Sequence, residues 1–176
     1  MNLGALAQTD LKRLLAFSSV AHAGYMLTGI VGMSIVGPSD PAKSLEALLF
    51  YVTTYAITNL GAFGVLIAIR RRGQEPSLTT DLTGLARRNP VLAAMLTILL
   101  ISLTGVPVSV GFVGKFHLLK AAVAAGYSGL AAVGVLMSVV SAFYYLRLVV
   151  LMYMEEPVEG VEFETDPGIS PKIVAL

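Results

Sequence analysis

Apolar residues occur in four long blocks along this chain, with polar or helix-breaking residues between them. The first block runs from about Leu11 to Val36 and stops at Gly37-Pro38-Ser39-Asp40-Pro41, a cluster that favours a loop. The second runs from about Ser44 to Ile69 and stops at Arg70-Arg71-Arg72-Gly73. A polar connection, Gln74 to Asn89, leads to Pro90, which fits the first turn of a helix because a missing N–H does no harm there. The third block reaches about Ala125. Gly126-Tyr127-Ser128-Gly129 then predicts a tight turn before a fourth block, from about Leu130 to Met154. Apolar runs of about 20 residues suit a hydrocarbon core about 30 Å thick. The expected fold class is an all-α membrane protein with about four transmembrane helices.

The third block is too long for one upright span. As a straight helix at 1.5 Å per residue it would measure roughly 54 Å. Gly105 and Pro107 lie inside it. Pro107 has no N–H to donate to the carbonyl four residues back, that of Leu103, and its ring clashes with that carbonyl. The pattern therefore predicts a break near Gly105–Gly111. Irregular backbone at membrane depth is tolerated only where it is buried in protein or lines a watery cavity. Lys115 follows the break at once. An ammonium at mid-bilayer costs about 2.5 to 3.5 kcal/mol on insertion scales, so an intramembrane lysine marks a functional site by default. Ion pathways in many transporters are built from a broken helix with an ionisable group beside it.

Composition supports the bilayer and removes several kinds of chemistry. The 176 residues are 56% hydrophobic and 13% charged, about half the charge of a soluble domain. The net charge of +1 gives no electrostatic case for nucleic acid. Without cysteine, the chain holds no iron–sulfur cluster, thiolate metal site or disulfide. Without tryptophan, tyrosines are left to supply any interfacial belt. No phosphate-binding loop, dinucleotide fingerprint, His-Glu-x-x-His or nucleophile elbow is present. The segment from Met1 to Asp10 lacks the basic start of a signal peptide. Basic residues set the expected orientation. Lys12 and Arg13, then Arg70 to Arg72 with Arg87 and Arg88, and finally Arg147 fall on one side if the spans alternate, whereas the opposite loops hold only Lys43. The positive-inside rule puts the arginine connection in the cytoplasm.

The remaining polar residues suggest a route for protons. Lys115 lies about ten residues from the nearer helix end, too deep for its stem to carry the charge easily to an interface. Lys120 is one to two turns from that end and can snorkel. His117 lies between them and suits either a relay or simple hydrogen bonding. His22, near the centre of the first span, titrates near neutral pH and can pass protons; the alternative is a neutral histidine bonded to a neighbouring helix. In the second span Thr54 and Thr58, like Tyr51 and Tyr55, are four apart and share a helix face. Such groups hold water in channels but more often cross-link helices. Gly61-Ala62-Phe63-Gly64 reads as a small-residue packing face. Ser138, Ser141, Tyr144 and Tyr145 read mainly as packing.

Several of these stretches resemble one family. The run from Asp10 to Tyr25, Asp-Leu-Lys-Arg-Leu-Leu-Ala-Phe-Ser-Ser-Val-Ala-His-Ala-Gly-Tyr, is similar to a helix start of the proton-pumping membrane subunits of respiratory complex I. Leu60-Gly-Ala-Phe-Gly64, Gly105-Val-Pro107 and Gly111-Phe-Val-Gly-Lys-Phe116 resemble the N-type antiporter-like subunit of NADH–quinone oxidoreductase. The resemblance extends from about Leu3 to Met154. It implies a family fold of fourteen helices with two inverted repeats, each holding one broken helix, of which this chain matches most of the second. Met1 to Gln8 would then end the ninth helix. Lys115 matches the lysine of the second broken helix, and His22 matches a polar position on the hydrophilic axis. Tyr55 stands where sibling subunits can have histidine. Lys12 joins His117, Tyr55 and Lys120 as a candidate relay.

The resemblance further implies a multi-pass protein of the bacterial inner membrane. Its partners would be the other complex I membrane-arm subunits, and flavin, iron–sulfur clusters and quinone would reside in partner subunits. The first repeat has no counterpart here, with its lysine and partnering glutamate. The acidic tail from Glu155 to Leu176 turns apolar only at Ile173-Val-Ala-Leu176, where a last helix would start. The expectation is a fragment or truncated reading frame. Rival expectations are an antiporter-like subunit of a sodium/proton exchanger or membrane-bound hydrogenase, and a non-functional truncated membrane protein.

Overall fold

The computed structural model describes residues 2–33, 40–71, 76–156 and 163–165. Val36, the Gly37–Ser39 loop, Arg72, Gly73 and the Ile173–Leu176 stretch lie outside the described residues. A short helix α1 (Asn2–Leu6) precedes α2 (Leu11–Gly32). Asp10 caps α2, its carboxylate accepting the Arg13 N–H at 2.8 Å. Asp40 caps α3 (Pro41–Ala68) in the same way through the Ala42 N–H at 3.0 Å. Pro41 occupies the first turn, so α3 starts before Ser44, where the apolar pattern alone put it. Polar capping chemistry, which hydropathy does not register, sets that boundary.

After α3 the chain forms a three-residue strand β1 (Ile69–Arg71), paired antiparallel with β2 (Phe163–Thr165). A 3₁₀ turn (Thr79–Leu82) and a one-turn helix α4 (Leu85–Arg88) follow. Next come α5 (Pro90–Thr104), capped by Asn89, then α6 (Val110–Ala124), capped by Ser109, and α7 (Ser128–Tyr153). The third apolar block is thus broken between Thr104 and Val110, where the Gly105/Pro107 pair predicted it. The turn before α7 is tighter than expected: Gly126 at φ 87° reverses the chain, and Gly129 is already helical.

Helices α2, α3 and α7 are long and apolar enough to cross a membrane. Helices α5 and α6 lie end to end along α3 and antiparallel to it. Leu99 of α5 sits by Gly61, whereas Gly114 of α6 sits by Tyr51. Gly61 therefore serves as the expected packing contact, but Gly64 has nothing within 4 Å of an added Cβ. Backbone bonds Leu11 N–H to Ser77 O (2.7 Å), Thr79 N–H to Thr9 O (2.7 Å) and Gly84 N–H to Leu151 O (3.0 Å) tie the start of α2, the connection before α5 and the last turns of α7 together. Lys12, Arg87, Arg88 and Arg147 accordingly gather at one end of the bundle.

The outside of the bundle is apolar and much of its polar chemistry is inside. Leu27, Ile57, Ile98, Val139 and Phe143 are exposed, whereas Ser18, His22, Lys115 and Ser141 are buried. That is the distribution expected when lipid is the solvent. Only Tyr127 and Tyr153, at the two ends of α7, are placed for an interfacial belt, and both are partly exposed. Tyr25, Tyr51, Tyr144 and Tyr145 are buried, and Tyr55 packs on His22. The tyrosines serve chiefly as hydroxyl-bearing core residues, which the missing tryptophan did not suggest.

Candidate functional site: a lysine in the helix break

The site begins with backbone carbonyls that α5 cannot satisfy itself. The Leu103 carbonyl would normally accept from residue 107, but Pro107 has no N–H. Gly105, at φ 81°, adopts the left-handed cap, and its N–H reaches Ile101 O and Ser102 O at 3.1 Å each. The carbonyls of Leu103 and Thr104 are instead bonded by the Lys115 Nζ, at 2.9 and 2.8 Å. A cation is favoured at a helix C-terminus, where carbonyl dipoles converge. Lys115 is 4% exposed. Its stem runs to the break, and no snorkelling to an interface occurs. The Nζ also lies 5.0 Å from the Tyr25 ring centroid.

Glycines bring α6 close enough for this. A Cβ on Gly111 would lie 1.8 Å from Ser102 O, and one on Gly114 would lie 2.9 Å from Tyr51 Cδ2. Within the break, Val108 holds φ at 85°, a costly conformation for a β-branched residue.

His22 projects from α2 toward the same centre and is 3% exposed. Its Nδ1 lies 2.7 Å from the Tyr51 hydroxyl and its Nε2 lies 3.3 Å from the Tyr145 hydroxyl. Tyr145 is bonded in turn to Ser18 Oγ. The Tyr55 ring stacks on the imidazole with centroids 4.6 Å apart. His22, Tyr51, Tyr55, Thr54, Thr58, Ser102 and Lys115 line one small cavity of about 10 Å³. The face shared by Tyr51, Thr54, Tyr55 and Thr58 therefore meets the break. The Thr58 hydroxyl is turned back on its own helix, to Thr54 O at 2.8 Å.

The other candidates lie elsewhere. His117 is exposed and points away from Lys115, because two residues correspond to about 200° around a helix. His117 and Lys120 line a groove of about 540 Å³ with Asp40, Lys43 and Glu46. Lys12 is exposed in the first turn of α2, about 15 Å along the helix from His22. Tyr145, read from the sequence as packing, is a hydrogen-bond partner of His22. Its spacing from Ser138 and Ser141 along one face of an otherwise apolar helix was the available signal. On that face Ser138 meets the Tyr25 hydroxyl at 2.7 Å.

An apolar helix bundle with a buried lysine capping the break in one of its helices is the kind of arrangement on which many membrane ion transporters are built. The chain belongs to the NADH:quinone oxidoreductase/Mrp antiporter transmembrane family, which matches residues 1–141. It is similar to NADH-quinone oxidoreductase subunit N 2 of Roseiflexus castenholzii, 43% identical over 168 residues, covering 96% of this chain and 34% of the relative. It is also similar to subunit N of an Azoarcus species, 44% identical over 166 residues, covering 93% and 33%. Among solved structures it is similar to a chain of respiratory complex I from Thermus thermophilus with bound aureothin. There the TM-score is 0.79 at 35% identity, covering 99% of this chain and 36% of that one. It is also similar to a chain of the Mrp complex from a Dietzia species, with TM-score 0.74 and 31% identity, covering 89% and 28%. The chain spans about a third of the length of the curated relatives it matches. These relatives bear out the resemblance to the N-type subunit.

Proposed function

We propose that this chain belongs to a proton-translocating membrane-arm subunit of NADH–quinone oxidoreductase, with Lys115 taking up and releasing the proton. The carrying observation is the buried Lys115 amine, bonded to two backbone carbonyls and sharing a cavity with His22. An ammonium has three donors. Two serve Leu103 O and Thr104 O, leaving the third for the cavity. The neutral amine keeps both carbonyl bonds and turns its lone pair to the same side. Both protonation states thus fit without moving the helices.

His22 lies next along the path, with Tyr51 and Tyr145 on its two nitrogens and Tyr55 against its ring. His117 and Lys120 belong to a separate groove between the first part of α3 and α6, beyond Lys115 from the arginine-rich end, and Lys12 marks that end. Flavin, iron–sulfur clusters and quinone belong to partner subunits, and this chain's neighbours are other membrane-arm subunits in a bacterial plasma membrane. The likeness to a chain of an Mrp complex favours sodium/proton exchange as the second reading. Pumping that persists when sodium is withdrawn separates the first reading from it.

His22→Gln tests the path in the assembled complex. Glutamine keeps a donor and an acceptor for Tyr51 and Tyr145 but does not titrate. Assembly should be unchanged, and proton transfer should slow by about tenfold, below the 10² to 10⁴ range of a positioned acid–base group because water can replace one relay member. Unaltered pumping in this variant would remove His22 from the path. Orientation has its own test. A cysteine placed at Arg87 or Arg88 should resist a membrane-impermeant thiol reagent added to intact cells and react after lysis. Labelling from outside would reverse the proposed topology.

A further inference from the structure

Two spaces flank the last turn of α5. The inner one is the cavity of about 10 Å³ between Lys115 and His22. The outer one is a groove of about 580 Å³ along α3, α5 and the break, open at Ile98, Pro107 and Val108. Thr54, Thr58 and Ser102 line both, so their side chains form the wall between them. The Thr58 hydroxyl is committed to carbonyls of its own helix.

Ser102 differs. Thr97 and Thr104, in the same helix, donate to the carbonyls four residues back, at 2.7 Å each. Ser102 Oγ is buried and has no hydrogen-bond partner among the described residues. The residue is 9% exposed and lines the inner cavity. A buried hydroxyl without a partner is costly. A cavity of about 10 to 15 Å³ holds one water when two to four polar groups face it. The Lys115 amine and the unpartnered Ser102 hydroxyl supply two such groups, whereas both ring nitrogens of His22 are taken by Tyr51 and Tyr145.

We propose that Ser102 anchors a single water molecule in the inner cavity, beside the Lys115 amine. The water site stands on the cavity and the buried serine; its part in proton transfer rests on the function proposed above. Ser102 is on this account a positioning residue. It holds the water that touches Lys115, and Gly111 is required because its hydrogen leaves room against the Ser102 backbone.

The test is solid-state NMR of the full chain in lipid bilayers with ¹⁵N-labelled lysine, following magnetisation from water to the Lys115 Nζ. The Lys115 signal is the one lost in Lys115→Arg. The wild type should show direct transfer. Ser102→Ala should weaken it about fivefold, the occupancy lost with one buried hydrogen bond, while the backbone signals of Leu103 and Thr104 stay in place. Thr53→Ala removes an exposed hydroxyl bonded to Leu49 O and should change nothing. If Ser102→Ala does not fold, Ser102→Cys decides: the thiol keeps nearly the same shape but donates weakly, so transfer should still fall. Equal transfer in the wild type and the Ser102 variant would overturn the proposal, as would no transfer in the wild type. Pumping plays no part in this readout, so such a failure leaves the role of Lys115 standing.

Discussion

Replacing Lys115 with alanine is expected to reduce proton pumping about 100-fold or more, the scale of a positioned proton-transfer group, in a complex that still oxidises its electron donor. Two physical losses combine. The titratable amine disappears from the inner cavity. The Leu103 and Thr104 carbonyls also lose their donor, and a buried acceptor left unpaired costs about 1 to 3 kcal/mol. The variant should therefore melt at a lower temperature as well as fail to pump. Acidification measured in membrane vesicles beside donor oxidation, with assembly checked on the same membranes, reads both effects. Unimpaired pumping in Lys115→Ala would leave the lysine with a structural role alone.

Gly111→Ala should be nearly as damaging, for a steric reason. The new methyl would lie 1.8 Å from the Ser102 carbonyl oxygen, a backbone atom that a rotamer change cannot move. Overpacking typically costs about 1 to 3 kcal/mol, and this contact belongs at or above the upper end. Relief requires α6 to move off α5, which carries Lys115 away from the carbonyls it caps. Loss of assembly, or loss of pumping with a lowered melting temperature, is the expected outcome. Gly64→Ala is the matched control. Nothing lies within 4 Å of its added Cβ, and alanine is favoured over glycine within a helix by about 1 kcal/mol. That variant should be neutral or slightly stabilising. A Gly111→Ala protein as stable as the Gly64→Ala protein would contradict the close crossing at the break.

Much of this architecture was legible because the signals are local. Pro107 removes a donor wherever it stands, so the break followed from the sequence. The caps at Asp10, Asp40 and Asn89 are local too, but the apolar pattern does not register them, which is why α3 begins before Ser44. Lys115 stood out because an amine in an apolar segment demands a reason. The reason itself was not legible. It depends on the first turn of α6 lying beside the last turn of α5, so that an amine meets carbonyls eleven and twelve residues earlier.

The partners of His22 were further from reach. Tyr51 and Tyr145 lie 29 and 123 positions away, and no periodicity within one helix reports such a contact. His117 shows the converse. Its closeness to Lys115 in sequence suggested a relay, whereas helical geometry turns it to a different groove. The Gly61–Gly64 stretch divides the same way: Gly61 meets Leu99 and Gly64 meets nothing nearby, a difference set by rotation about α3.

The most direct test of the central claim is proton pumping by the complex carrying Lys115→Arg. Arginine keeps a positive charge and ample donors for the Leu103 and Thr104 carbonyls, so the break retains its cap. Its guanidinium, with a pKa above about 12, does not release the proton. Acidification per electron donor oxidised should fall as steeply as in Lys115→Ala, in a complex that assembles more completely than the alanine variant. Pumping at the wild-type ratio would contradict the account, because a fixed charge would then suffice where a proton-exchanging amine is required.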